Sequence, residues 1–288
     1  MKDPLFVAIG RFRLLFVGVA VLVAATLMLL PFVVLVATSW SKTAFALFPP
    51  EGFTLDWYRT VLTDPDWADA FWRSIWVSGL ATAVATVFGV AGALALPRLR
   101  SPAVARAIRT LFITPIALPP VAYAVGLYGV NLNVPSLHGT FTSLVLGEAL
   151  LAVPYVFVVT SGAVGRLDPA MRPAASTMGA AWPVILFRIE LPLILGGVLA
   201  GALFAFVTVF DDVVLAVFVA PLGSQTLPLK MLSESQEAVS PELTAASTLV
   251  SLLALVVLGA TNLILRRRAF AAQRAGTGSA AATKVAPA

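Results

Sequence analysis

The chain has 288 residues, of which 59% are hydrophobic and 11% charged, with a formal net charge of +5 and a mean hydropathy of +0.95. A soluble domain carries about 25% charged residues, so this polypeptide cannot clothe itself for water and lipid must be its solvent. With no cysteine, a disulfide framework and a thiolate metal site are excluded.

A helix needs about 20 consecutive apolar residues to cross the hydrocarbon core. After a short N-terminal segment, 1–13, the first such run covers 14–38. Its apolar stretch from Leu14 to Thr38 is far longer than a secretory signal's core of about 7–15 residues. Thr38-Ser39-Trp40 offers no convincing cleavage site, so the run is read as a span. Further spans are expected at 74–96, 110–130, 141–164, 193–219 and 243–265. The reading is an all-α membrane protein with six transmembrane helices, forming one membrane domain over 14–268.

Span two carries Ala81, Ala85, Gly89 and Ala93 on one face, and span five carries Gly197, Gly201 and Ala205. Small residues at helical spacing let membrane helices approach closely, either within this chain or at a subunit interface. Span three contains Pro115, Pro119 and Pro120, each of which breaks the hydrogen-bond ladder and marks a static kink or a moving gate. Asn131, Asn133 and His138 stand in or beside the loop before span four, where a lone His reads as a surface or capping residue. The tail 269–288 is rich in Ala, Gly, Ser and Thr; it has nothing with which to build a core and is expected to be disordered.

Fifteen of the 19 Lys and Arg residues fall on one side of this arrangement, among them Arg11, Arg98, Arg109, Arg172 and Arg266. Only Lys42, Arg59, Arg73 and Lys230 fall on the other, which is acidic. The positive-inside rule puts both termini in the cytoplasm. The basic charge is therefore a topology signal. Split among separate segments, it does not make a nucleic-acid surface.

The loop between spans four and five lies on the arginine-rich side and runs from Asp168-Pro169 through Gly179 to Ile189-Glu190-Leu191-Pro192. It reads as a short helix, a turn at Gly179, and a second amphipathic element leading into the next span. Asp168 suits a helix cap and Pro169 a first turn. Ala174, Ala175 and Met178 form a small apolar side that fits a groove on a soluble partner.

Here the chain resembles the permeases of ABC importers. Their cytoplasmic signature is Glu-Ala-Ala, three residues, Gly, nine residues, Ile, one residue, Leu-Pro. Ala174, Ala175, Gly179, Ile189, Leu191 and Pro192 fall in that register, with Pro173 where the signature has Glu. The resemblance implies the type I importer permease fold with a coupling helix at about 169–184 that docks on an ATPase. Arg172, Ala174, Ala175, Met178, Gly179, Ile189 and Pro192 are its coupling residues. It also implies the partners: a second permease in a heterodimer, two ATPase subunits that bind ATP and Mg, and a periplasmic substrate-binding protein. The segments 52–58, 150–156, 210–219 and 225–228 look like the C-type permease of the spermidine/putrescine group, which includes relatives for opines, γ-aminobutyrate and other small amines.

Intramembrane carboxylates are costly and face a cavity or a partner. Glu148 in span four and Asp211 and Asp212 in span five are therefore candidates for the path of a cationic substrate, or for contacts between helices. Relatives often hold His where Glu148 stands, so the resemblance carries no role to that position. None of the four lysines follows a glycine, so there is no phosphate loop and the chain is not itself an ATPase. No metal cluster and no nucleophile–base pair is apparent, which speaks against an intramembrane protease. An ion-coupled secondary transporter is the competing reading, but it favours paired inverted repeats, and none is found.

Overall fold

The computed structural model describes residues 4–256 other than Leu47 and Ala238, together with Gly259. Every regular element among them is helical. In chain order these are α1 (Pro4–Thr38), α2 (Asp56–Thr63), α3 (Pro65–Ala95), α4 (Pro102–Ala117), α5 (Pro120–Asn133), α6 (Phe141–Val164), α7 (Met171–Thr177), α8 (Trp182–Val184), α9 (Leu191–Phe210), α10 (Val214–Val219) and α11 (Leu227–Glu237). A shorter apolar helix, α12, covers Pro241–Val256. A 3-10 turn, Leu96–Arg98, closes α3, and a π-helical stretch, Ile185–Glu190, joins α8 to α9.

Among the described residues, four helices are long and apolar enough to cross a membrane: Leu15–Thr38, Pro65–Arg98, Phe141–Val164 and Trp182–Phe210. They correspond to expected spans one, two, four and five, with shifted ends. α1 reaches back to Pro4 and so takes in the described part of the expected N-terminal segment 1–13. α3 starts at Pro65 rather than 74 because Asp64 is extended, Pro65 suits a first helical position, and Asp66 favours the positive end of the helix dipole.

The third expected span is a corner. α4 and α5 meet at 101°. Leu118 is forced out of the helical region (φ −80, ψ 133) by the proline that follows it, and Pro119 and Pro120 have no N–H to continue the ladder. The fifth also departs from 193–219 as one rod: α9 ends at Phe210, and α10 begins at Val214. Of the sixth, α12 is described; 257–265, apart from Gly259, and the tail 269–288 lie outside the described residues.

The described chain divides into two compact units, 65–232 and the residues flanking it on both sides. In the first, α3, α6 and α9 pack through small side chains: Ala81, Ala85, Ala149, Ala152, Val156 and Ala205 form one buried cluster. A Cβ on Gly201 would lie 3.1 Å from the Cα of Val156. The small-residue rows thus serve contacts inside this chain, where van der Waals packing holds helices together in lipid. A second cluster, Val77, Ala124, Leu144, Leu215 and Val219, gathers α5 and α10 against α3 and α6. A third, with Ala93, Leu94, Phe157, Val164 and Ile194, lies towards the arginine-rich end.

In the other unit, the segment after α1 is tied to α2. Ser39 Oγ and Tyr58 OH share a hydrogen bond of 2.5 Å, Trp57 Nε1 donates to the Ser41 carbonyl at 2.8 Å, and Thr54 N donates to the Trp40 carbonyl at 2.9 Å.

Candidate functional site

Two clusters of the expected residues stand at opposite ends of α9. The first is the loop after α6. Asp168 Oδ1 accepts from Ala170 N at 2.8 Å and its carbonyl accepts from Met171 N at 3.1 Å. α7 begins only at Met171, with Ala170 at its N-cap and no side-chain cap. Asp168 therefore shapes the turn before the helix instead of capping it, and Pro169 precedes the first helical turn.

α7 ends at Thr177, and Gly179 just beyond its C-cap has a φ of +82°, the left-handed conformation that glycine adopts without strain. Ala180 N donates to the Ala175 carbonyl at 3.0 Å to close the turn. The coupling helix expected over about 169–184 is thus two short helices around a glycine corner. Ala174 and Pro173 are exposed, Ala175 is half-buried, and Met178 is 87% exposed. These side chains are presented outward, as docking requires.

Beneath α7 lies a cavity of about 270 Å³ lined by Pro97, Leu167, Met171, Arg172, Ile189 and Glu190, among others. Glu190 is only 3% exposed, and both of its carboxylate oxygens are taken. Arg172 Nε of α7 donates to Oε1, and Arg98 Nη2 donates to Oε2 at 3.1 Å. The Arg98 guanidinium also lies over the Trp182 ring, 5.3 Å from its centroid. Pro192, exposed on the first turn of α9, has no N–H for the carbonyl of Arg188 and crowds it; the wider π-helical stretch just before it accommodates this.

The fork made by Glu190, Arg98 and Trp182 escaped the sequence reading. A signal existed, since Glu190 is one of three acids, with Asp3 and Asp168, on the side that carries fifteen basic residues.

The second cluster lies twenty helical residues away, about 30 Å along α9. Asp211 and Asp212 do not sit on a continuous helix, as expected, but at the break between α9 and α10. Two acids of poor helix propensity, followed by Val213, end the ladder there. Asp211 is exposed at the α9 terminus. Asp212 is half-buried, and its Oδ2 accepts from Leu215 N at 2.8 Å, capping α10.

Glu148 of α6 is 3% exposed, and its carboxyl lies close enough to that of Asp212 for the two to interact. Close approach of the helices at this point depends on Gly147, where a Cβ would lie 2.4 Å from Leu127 Cδ2 and 2.9 Å from Leu215 Cδ2. Tyr123 OH donates to the Gly147 carbonyl at 3.0 Å. The structure therefore brings Glu148 and Asp212 together and leaves Asp211 apart. Asn131 is a buried donor to Ser143 Oγ at 2.5 Å, which makes it a link between α5 and α6.

Residues 85–270 match the family of binding-protein-dependent transport system inner membrane components. The chain is similar to the spermidine/putrescine transport system permease protein PotC of Haemophilus influenzae, at 32% identity over 83% of this chain and 91% of that one. It is also similar to the putrescine transport system permease protein PotI of Escherichia coli K12, at 28% identity over 81% and 84%. Among solved structures, a chain of a bacterial ABC transporter that imports the acidic polysaccharide alginate superposes with a TM-score of 0.70 and 17% identity. That superposition covers 92% of this chain and 99% of the other.

Proposed function

Since the chain belongs to the binding-protein-dependent transport system inner membrane components, we propose that it forms one half of the substrate path of an importer for polyamines or related opine- or γ-aminobutyrate-like amines. It is a multi-pass inner-membrane permease subunit with the fold of ABC importer permeases. In this reading both termini and the α7–α8 loop are cytoplasmic, and the residues from α1 to α12 make six spans. A periplasmic binding protein delivers the amine, and two ATPase subunits, which hold the ATP and Mg, drive alternating access. The second half of the path is a different permease chain. Asp211, Asp212 and Glu148 supply negative charge to a cation in the outer half of the membrane.

The observation that carries the reading is the α7–α8 loop. Its signature residues keep their spacing, Gly179 makes the turn, and Ala174 and Met178 face outward at the arginine-rich end. The amine class is supported by the relatives that transport spermidine and putrescine.

The test is uptake of radiolabelled putrescine and spermidine by proteoliposomes holding the whole complex. Uptake is expected to require enclosed ATP and loaded binding protein outside. Uptake driven by an imposed ion gradient without ATP would overturn the reading in favour of a secondary transporter.

A further inference from the structure

We propose that Glu190 is the positioning residue that fastens the coupling loop to the transmembrane helices, so that movement of α7 reaches α3 and α9 through a single carboxylate. The inference rests on the coupling reading given above and assigns its mechanical link.

The geometry starts from how little else holds α7. It has seven residues, none of them buried, and the space between it and the ends of α3, α6 and α9 is a cavity of about 270 Å³ rather than close-packed side chains. Arg172 is its one charged residue, and its Nε donates to Glu190 across that space. The other carboxylate oxygen is held by Arg98, the last residue of the 3-10 turn that closes α3. Glu190 itself ends the stretch that runs without a break into α9.

One side chain thus joins three elements, with partners 18 and 92 residues away in the chain. A charge so deeply buried is tolerated only when it is fully paired, so the fork has one stable arrangement and resists sliding. Arg98 is fixed a second time by the Trp182 ring, which ties α8 into the same fork. Beyond it, Ala93 and Leu94 of α3 pack with Ile194 of α9 in one buried cluster, and a tilt at the fork passes into the bundle.

The test uses the complete transporter carrying Glu190→Gln, which keeps the shape and removes the charge, and Glu190→Asp, which keeps the charge. Glu190→Gln should lower amine uptake at least tenfold. The complex should still contain its ATPase and hydrolyse ATP, but loaded binding protein should no longer stimulate that hydrolysis. Glu190→Asp should bring uptake back to within about threefold of the unmodified complex. Arg172→Gln should resemble Glu190→Gln, and the double variant should be no worse than either, because both remove one contact.

Uptake by Glu190→Gln at the normal rate overturns the proposal, and so does a Glu190→Asp variant as inactive as Glu190→Gln, since shape and not charge would then matter. Met178→Glu, on the outward face, separates the two readings. If it loses the ATPase while Glu190→Gln transports normally, docking stands and the link is wrong. If it retains the ATPase and normal uptake, the docking reading fails and takes the link with it.

Discussion

At the scale of single residues, the carboxyl pair formed by Glu148 and Asp212 makes a claim that can be measured. The two groups are close enough to interact, so removing either should remove most of what both contribute. Glu148→Gln and Asp212→Asn are each expected to lower putrescine uptake by about tenfold, a loss of about 1.4 kcal/mol. The double variant should fall well short of the hundredfold that independent sites would give. Asp211→Asn should combine additively with either, because Asp211 stands apart and exposed at the end of α9. Full additivity across Glu148 and Asp212 in the uptake rates would refute the pairing. All three acids were legible as costly charges in apolar segments. Their pairing was not, because it depends on a helix break at Asp211–Val213 that no proline or glycine announces.

The elements show which local signals are strong enough to read. Pro119-Pro120 announced a break, and the structure turns it into a corner of 101°; sequence alone left its size open. Gly179 announced a turn, and its φ of +82° confirms a conformation closed to most side chains. A Cβ at Gly179 would meet nothing within 4 Å, so the expected harm from Gly179→Val is backbone strain alone, about 1–3 kcal/mol. The α7–α8 corner should therefore loosen while insertion and the buried helices persist. Uptake should drop several-fold with unchanged membrane levels on an immunoblot; normal uptake together with normal stimulation of ATP hydrolysis would show that the corner has no coupling role. The Asp168 cap was misread because an Asp before Pro builds a local turn as readily as it caps a helix. Only the placement of Met171 decides between them.

For the whole molecule, hydropathy located the four described helices that are long and apolar enough to cross a membrane, because lipid imposes the strongest constraint on backbone polar groups. It was weaker on their continuity, as the bent α4–α5 pair and the α9–α10 break show. In the proposed assembly a pair of ATPases offers two grooves and this chain carries the coupling signature once, so two permease chains are needed; we propose one copy of this 30.2 kDa subunit beside a different permease. Native mass spectrometry of the detergent-extracted complex checks this count; two copies would indicate a homodimer, and an active monomer without an ATPase would end the importer reading. The π-helical stretch Ile185–Glu190 adds a consequence for chain length. Each residue advances an α-helix by about 100°, so the number of residues between Trp182 and Pro192 sets the rotational phase of the loop against the bundle. Removing one residue there would swing Arg172 and Met178 about a third of a turn around the α9 axis, and hydropathy would scarcely register the change. In this segment length is itself specified, and substitutions should be tolerated far better than insertions or deletions.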